Sequence, residues 1–327
     1  MLSRVADAIY WLNRYIERAE NVARFVEVNL NLLMDSPVGV AQQWEPLIAV
    51  TGDRERFLER YDHATAERVL DFLTFDEKSP NSILSCVRSA RENARSVRET
   101  ISSEMWEQVN AFYLQVEEAA KDKDVRDTHA FYAEVKMASH RFAGVMDATL
   151  SWNESWHFGQ LGRFIERADK TARILDVKYF LLLPSPDEVG TPLDNLQWIA
   201  LLKSASAYEM YRKTEQIISP SGVAKFLILD PHFPRSIKFC LQWAEDSLNR
   251  IAGTASGKPR SSQRAMGRLR AELAYTTFDE IFRQGLHEFL DDFQRRLNNV
   301  GDCIYTDFIA LPDSPVESDR LSTQHQS

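Results

Sequence analysis

An octapeptide that occurs twice constrains this chain more than any other feature. Leu12-Asn13-Arg14-Tyr15-Ile16-Glu17-Arg18-Ala19 matches Leu161-Gly162-Arg163-Phe164-Ile165-Glu166-Arg167-Ala168, and Glu17 and Glu166 lie 149 residues apart. The match runs on through Ala23/Ala172, Arg24/Arg173 and Val28/Val177. Gln43-Trp44 then pairs with Gln197-Trp198, and Phe72-Leu73 through Pro80, Ser82, Ile83 and Cys86 pairs with Phe226-Leu227 through Pro234, Ser236, Ile237 and Cys240, at an offset of 154. His140-Arg141-Phe142, Val145 and Asp147 pair with Arg295-Arg296-Leu297, Val300 and Asp302 at 155. Collinear matches at a nearly constant offset are the mark of a repeated structural unit. The expected architecture is all-α: a helical bundle formed by two tandem, diverged copies of one helical unit. Residues 1–150 form the first unit and 151–312 the second, packed with it as one domain, and 313–327 form a disordered tail.

Each unit carries helical rather than strand periodicity. Trp11, Leu12, Tyr15, Ala19, Val22, Ala23, Val26 and Leu30 fall at the spacing of a broad apolar stripe. The same spacing predicts helical stretches over Thr65 to Phe75, Asn81 to Met105 and Asp127 to Leu150, with counterparts in the second half. Pro80 and Pro234 stand just ahead of new helices, where a missing N–H costs nothing. Loops are expected at Ser36–Val40, Pro184–Pro192 and Ile251–Ser262. Sustained strand alternation and the Asn-Gly hairpin signal are both missing from the sequence.

Charge narrows the function classes. Lys and Arg total 39 against 48 Asp and Glu, a net charge of −9, which argues against a general nucleic-acid binder. The three cysteines, Cys86, Cys240 and Cys303, form no CxxC or Cys/His spacing, so no metal site and no disulfide framework is expected. The N-terminal residues lack the apolar core of a signal peptide, and the longest dense apolar run, Tyr179 to Leu183, is far too short to span a bilayer. The expected location is therefore the cytoplasm, with no membrane partner.

The repeated Arg-x-x-Glu-Arg cluster is the candidate functional centre. At about 100° per residue, Arg14, Glu17, Arg18 and Asn21 share one narrow helical stripe, which continues into apolar Phe25 and Val28. Arg163, Glu166, Arg167 and Lys170 repeat the layout ahead of Ile174 and Val177. Such a stripe admits a structural reading, as a surface ion-pair ladder or as pairs joining the two copies. It also admits a binding reading, in which arginines from both copies converge on an anionic or peptide-like small molecule, since the planar guanidinium fork suits carboxylate and phosphate. Glu17 and Glu166 would then orient the arginines, hold a ligand amine or act as acid and base. Arg235, at the start of a helix in Asp230-Pro231-His232-Phe233-Pro234-Arg235-Ser236, opposes the helix dipole and so invites a bound anion or a nearby carboxylate.

These residues also carry a resemblance. Leu2-Ser3-Arg4-Val5-Ala6, Tyr10-Trp11-Leu12 and Arg14-Tyr15-Ile16-Glu17-Arg18-Ala19-Glu20-Asn21 resemble the bacterial alpha-E family, named for its helical character and its Glu-Arg motif. Asn81-Ser82-Ile83 with Cys86, Ala90 to Arg95, Ile101 to Trp106, Phe233-Pro234-Arg235-Ser236 and Gly267-Arg268-Leu269-Arg270 are similar to further family segments, so the likeness extends to about Pro312. Members of that family are often encoded beside, or fused to, a circularly permuted ATP-grasp protein, with a transglutaminase-like protein nearby. The resemblance therefore implies an accessory or ligand-binding subunit. It would act with an ATP-grasp amide or peptide ligase in making or handling a small peptide-like product, with no cofactor of its own. It assigns no catalytic residue. Two alternatives stand beside it: an enzyme acting on that peptide or amide with Glu17 and Glu166 as acid/base, and a non-catalytic scaffold.

Other constellations carry less. Arg88, Arg91, Glu92, Arg95 and Arg98 recur at helical spacing as a solvated face or a docking surface for an acidic partner. Glu154 and His157 have the spacing of di-iron bundles, but the first-copy equivalents are Val5 and Ala8. Gly253 to Pro259 lacks both the length and the hydroxyl of a phosphate loop. Lys258, Arg260, Arg264, Arg268 and Arg270 form a basic loop and helix face.

Overall fold

The structure, a computed structural model, describes residues 1–35, 44–121, 129–181, 191–253 and 258–310. Among these every regular element is helical. The chain runs α1 (Ser3–Asp35), α2 (Glu45–Thr51), α3 (Arg54–Leu58), α4 (Ala66–Thr74), α5 (Ile83–Ser96), α6 (Ser103–Ala119) and α7 (His129–Thr149). It continues through α8 (Glu154–Leu181), α9 (Pro192–Ser204), α10 (Tyr208–Thr214), α11 (Pro220–Leu229), α12 (Ile237–Ala252), α13 (Ser261–Tyr275), α14 (Phe278–Gln284) and α15 (Leu286–Ile304), closing in a π turn, Tyr305–Ile309. No described helix is long and apolar enough to cross a membrane. The expected loop at Ser36–Val40, most of that at Pro184–Pro192, Gln43, Asp127 and the tail 313–327 lie outside the described residues.

The long helices α1 and α8 form the centre because each buries more than one face. On α1, Val5, Ile9, Leu12, Ile16, Ala19, Ala23 and Val26 are buried at three- and four-residue spacing, as are Leu161, Ile165, Ala168, Ala172 and Leu175 on α8. α5 and α7 pack on α1, α12 and α15 pack on α8, and α1 and α8 pack on each other. The two run in the same direction, since Met1 meets Glu154 and Glu17 meets Arg167. One continuous apolar core reaches from Val5 to Ile304.

Local signals place the surrounding helices. The side chain of Ser82 accepts from Ser85 N at 3.1 Å to start α5, and that of Ser236 accepts from Phe239 N at 3.1 Å to start α12. Pro80 and Pro234 precede those caps. The stretch expected as one helix from Asn81 to Met105 is two: α5 ends at the Val97 cap, a turn closes from Thr100 N to Val97 O at 2.8 Å, and Ser102 caps α6 by accepting from Met105 N at 3.1 Å. Ser102 matches a cap better than a helix interior, because its hydroxyl competes for backbone donors. The expected loop at Ile251–Ser262 is shorter at both ends. α12 persists through Ala252 to Gly253, and Asp307 accepts from Ser262 N at 2.8 Å and both serine hydroxyls to hold the start of α13.

Gly162 sets how closely the central helices approach. A β-carbon there would lie 2.3 Å from the Tyr10 carbonyl oxygen and 3.2 Å from Arg14 Cγ. Helix propensity favours alanine over glycine by about 1 kcal/mol, but forcing a methyl against backbone costs roughly 1–3 kcal/mol in a packed interior. Gly162→Ala should therefore destabilise the protein in urea unfolding. An unchanged or higher midpoint would mean that the two helices can part freely.

Candidate functional site

Close approach of α1 and α8 brings the two Glu-Arg motifs together, and each glutamate is bound by arginines of the other helix. Glu166 is 0% exposed and accepts from Arg18 Nε at 2.7 Å, Arg18 Nη2 at 3.0 Å and Arg14 Nε at 2.9 Å. Lys170 Nζ lies 3.7 Å from the same carboxylate. Glu17, 2% exposed, accepts from Arg167 Nε at 2.9 Å and Nη2 at 2.7 Å, from Arg235 Nη1 at 2.8 Å and from Asn21 Nδ2 at 3.2 Å. The exchange is reciprocal, Arg18 to Glu166 and Arg167 to Glu17. Of the two structural readings, the ion pairs joining separate helices are the arrangement observed.

Of the nine residues expected to converge on one ligand, eight form two clusters instead, and Arg163 joins neither. The Glu17 cluster is enclosed. Arg235 also donates from Nη2 to both oxygens of Glu20, at 2.7 and 2.6 Å, and Glu20 pairs with Arg24 and meets His140 Nε2 at 3.0 Å. Thr171 Oγ1 donates to the Arg235 carbonyl at 2.8 Å, tying the turn before α12 to α8. The carboxylates that relieve Arg235 are thus Glu17 and Glu20, not a ligand. Burial, with Arg24 and Arg235 close by, lowers His140 to about 4, so at neutral pH it is an uncharged hydrogen-bond partner. Arg163 stands apart, 4.0 Å from Asp147, and its Nε is buried without a partner among the described residues. Arg14, Arg18 and Lys170, by contrast, reach a cavity.

That cavity, of about 460 Å³, lies between α1, α8 and α15. Arg14, Arg18, Lys170 and Arg173 line one side, with Trp11 and Asn81, while Asp302 and Tyr305 stand on the other. Arg14 packs over the Trp11 ring at 4.6 Å, which restricts the guanidinium to one plane. Arg18 Nη1 donates to Asn81 Oδ1 at 2.7 Å, and Asn81 Nδ2 donates to Asp53 at 2.9 and 2.8 Å. Arg173 Nε binds Asp169 at 3.0 and 2.9 Å, and Lys170 Nζ meets Asp169 at 3.2 Å. Four cations therefore stand against the two carboxylates that hold them, Glu166 and Asp169, and Asp302 across the cavity still leaves positive charge in excess.

Neither glutamate is suited to acid/base work. Burial pushes both carboxyls up, but Arg167 and Arg235 at Glu17, and Arg18, Arg14 and Lys170 at Glu166, more than reverse it and leave both well below the ordinary carboxylate range. A general acid or base at neutral pH needs a value near the operating pH. This corrects the acid/base role considered for the pair. Burial raises Cys86 and Cys240 to about 12, so neither is a thiolate nucleophile. Glu154 and His157 face the chain's amino group and Ser247 respectively.

Sequence reasoning missed Trp11, Asn81, Asp169 and Arg173 as parts of the site. Asp169 and Arg173 carried a signal, an acidic and a basic residue four apart on the face of α8 beside the Lys170 stripe. At the sequence offset of 154, Asn81 aligns with Arg235. The arginines of α5 remain at the surface, Arg91 donating to Asn110 at 2.7 Å and lying over Tyr113 at 4.9 Å.

The Alpha-E family, described as a predicted alpha-helical domain with a conserved ER motif, matches residues 1–309. Uncharacterised proteins of Mycobacterium bovis and of two Mycobacterium tuberculosis strains are 24% identical over 342 aligned positions, covering 94% of this chain. The chain spans 37% of the length of those relatives. No solved structure matches.

Proposed function

Because the chain belongs to the Alpha-E family, with its Glu-Arg motifs packed against a cavity, we propose that it is a ligand-binding accessory subunit serving an ATP-grasp amide or peptide ligase. Its ligand is an anionic, carboxylate-bearing small molecule. The observation that carries the reading is the excess of positive charge at the cavity. Arg14, Arg18, Lys170 and Arg173 are held by two carboxylates, Glu166, which takes Arg14, Arg18 and Lys170, and Asp169, which takes Lys170 and Arg173. Arg173 uses Nε for that carboxylate and is 26% exposed, which leaves its Nη groups for a ligand. ATP-grasp ligases activate a carboxylate and join it to an amine, so a subunit that presents or retains an acidic peptide fits beside one. The transglutaminase-like protein belongs to the same proposed assembly as a handler of amide-linked product. The far greater length of the mycobacterial relatives leaves room for a second module on one chain.

The test is calorimetric titration of the full chain with glycyl-glutamate, against glycyl-glutaminamide and glycinamide, which carry no carboxylate, as controls. The acidic dipeptide should bind, weaken with added salt, and lose about tenfold or more in affinity in Arg173→Gln. Binding that ignores charge, or an Arg173→Gln protein that binds as well as the natural one, would refute the site. The ligase role is tested separately: product formation by the partner ATP-grasp protein should fall when this chain is left out. Full product without it would sink the accessory role while leaving the binding site standing.

The scaffold reading has one observation in its favour, the reciprocal pairing of α1 with α8. That pairing accounts for Glu17, Glu166, Arg14, Arg18 and Arg167 but leaves Lys170 and Arg173 beside the cavity outside it.

A further inference from the structure

We propose that the ligand site does not stop at Arg18 but continues into a second basin, and that its occupant is an extended acidic peptide whose free terminal carboxylate sits in the inner cavity. The inference rests on the anion-binding reading above and adds the length and direction of the ligand. A second cavity, of about 540 Å³, shares Trp11, Arg18 and Asn81 with the first. The bond from Arg18 to Asn81 is therefore the boundary between two adjoining spaces. The outer one is bordered by Arg56, Lys78 and Arg88, with Glu77 as its acidic member. Glu77 binds Arg88 at 3.1 Å and Asp53 binds Arg56 at 3.2 Å, while Lys78 has no ion pair among the described residues. Leaving out Arg18, which Glu166 already neutralises, the outer basin carries three cations, Arg56, Lys78 and Arg88, against Glu77 and the Asp53 beneath it.

The corresponding place in the second half carries large rings instead of small hydroxyls, which argues that the first-half opening is more than a packing fault. At the offset of 154, Ser85 and Ser89 of the outer basin correspond to Phe239 and Trp243, and Lys78 and Arg88 correspond to His232 and Gln242. In the structure Phe239 meets the Phe164 ring edge-on at 6.0 Å and Trp243 stacks on it at 5.8 Å, so rings cover that side of α8. Two serines in place of two large rings create the volume, and a lysine and an arginine in place of a histidine and a glutamine give it its sign. Space and charge change together at one location.

Direction follows from burial. Lys170, at 5% exposed, and Arg173 lie in the inner cavity, where a carboxylate meets little competition from water. Arg56, at 60%, and Lys78 face solvent, where each pairing is weaker and screened by salt. The inner end therefore anchors a terminal carboxylate, and the outer cations add smaller increments from acidic side chains along the peptide.

The experiment is a titration of the full chain with oligoglutamates from the single amino acid to the pentapeptide, each with a free and with an amidated C-terminus. Affinity should rise about three- to tenfold between the single residue and the tripeptide and then level off, and amidation should remove most of the binding at every length. A plugged variant, Ser85→Phe with Ser89→Trp, should bind glutamate as the natural protein does but show no gain with length, as should Lys78→Ala with Arg88→Gln. Because the serines lie at the rim, circular dichroism of the plugged variant checks that it is folded. Glutamate binding that depends on Arg173 without any gain with length overturns this inference alone. Equal binding of amidated peptides overturns the direction. Failure of every peptide, single residue included, removes the anion-binding reading beneath it. An oligothymidylate that binds more tightly than pentaglutamate, and is lost on plugging, would replace the peptide with a nucleic acid as occupant.

Discussion

Glutamine in place of Glu166 should destabilise the protein by about 3–5 kcal/mol, read as a shift in its urea midpoint followed by far-UV circular dichroism. The size comes from what is left behind. Glu166 is fully buried and is the carboxylate partner of both Arg14 and Arg18. Glutamine keeps the shape and one acceptor oxygen but removes the charge, so two guanidinium groups that are 17% and 14% exposed lose their counter-ion. An exposed pair would cost less than about 1 kcal/mol, and burial is what separates this pair from that case. The ion pair itself adds little net stability once its desolvation is counted. Replacing Arg18 and Glu166 together by leucine should therefore cost less than Glu166→Gln alone, and a double variant at least as damaged as the single one would show that the charges stabilise in their own right.

Leucine in place of Arg235 should cost a similar amount, about 3–5 kcal/mol at neutral pH, and the cost should shrink in acid. Arg235 spans Glu17 and Glu20, and its loss leaves Arg167 alone on the first carboxylate and Arg24 with uncharged His140 on the second. In the natural protein Glu17 is held below its ordinary value of 4.5. A carboxylate with a depressed folded value contributes stability above the unfolded value, and that contribution is lost as pH falls through the folded one. In Arg235→Leu burial is offset less, so the Glu17 value moves up and protonation relieves the exposed deficit of cations. The difference between the two proteins should hold from neutral pH down to about pH 4.5, the ordinary value of Glu17, and narrow as the pH falls further. A difference that stays constant below that value would mean that packing by the arginine stem, rather than charge, is what Arg235 supplies.

These variants also separate framework from site. Glu166→Gln and Arg235→Leu act on stability, whereas Arg173, Lys78 and Arg88 face the cavities and should act on binding. The division is physical: charges that are paired and enclosed set helix position, and charges that are left in excess beside open volume can take a ligand.

Helical class, the long apolar stripes of α1 and α8, the helix starts after Pro80 and Pro234 and the Glu-Arg stripes were all legible in the residues, because each depends on near neighbours in the chain. The break at Val97–Ser102 was less so, since the apolar spacing carries across it and only the Ser102 cap marks it. Pairing within the site was not legible. Arg14 and Glu17 stand three apart on one helix, yet Glu17 is bound by Arg167 and Arg235, and Arg14 by Glu166. That choice depends on how closely α1 and α8 approach at Gly162, a property of two surfaces fitted together. The cavities depend on volume in the same way. Ser85 and Ser89 are unremarkable polar residues in sequence, and they acquire meaning only where the fold sets them against the place that Phe239 and Trp243 fill on the other side. The sequence by itself determined which helices form and which charges they carry, because both are short-range properties of the chain. The tertiary structure decided which charges cancel and which remain open to a ligand, because cancellation is settled by distance and burial between segments about 150 residues apart.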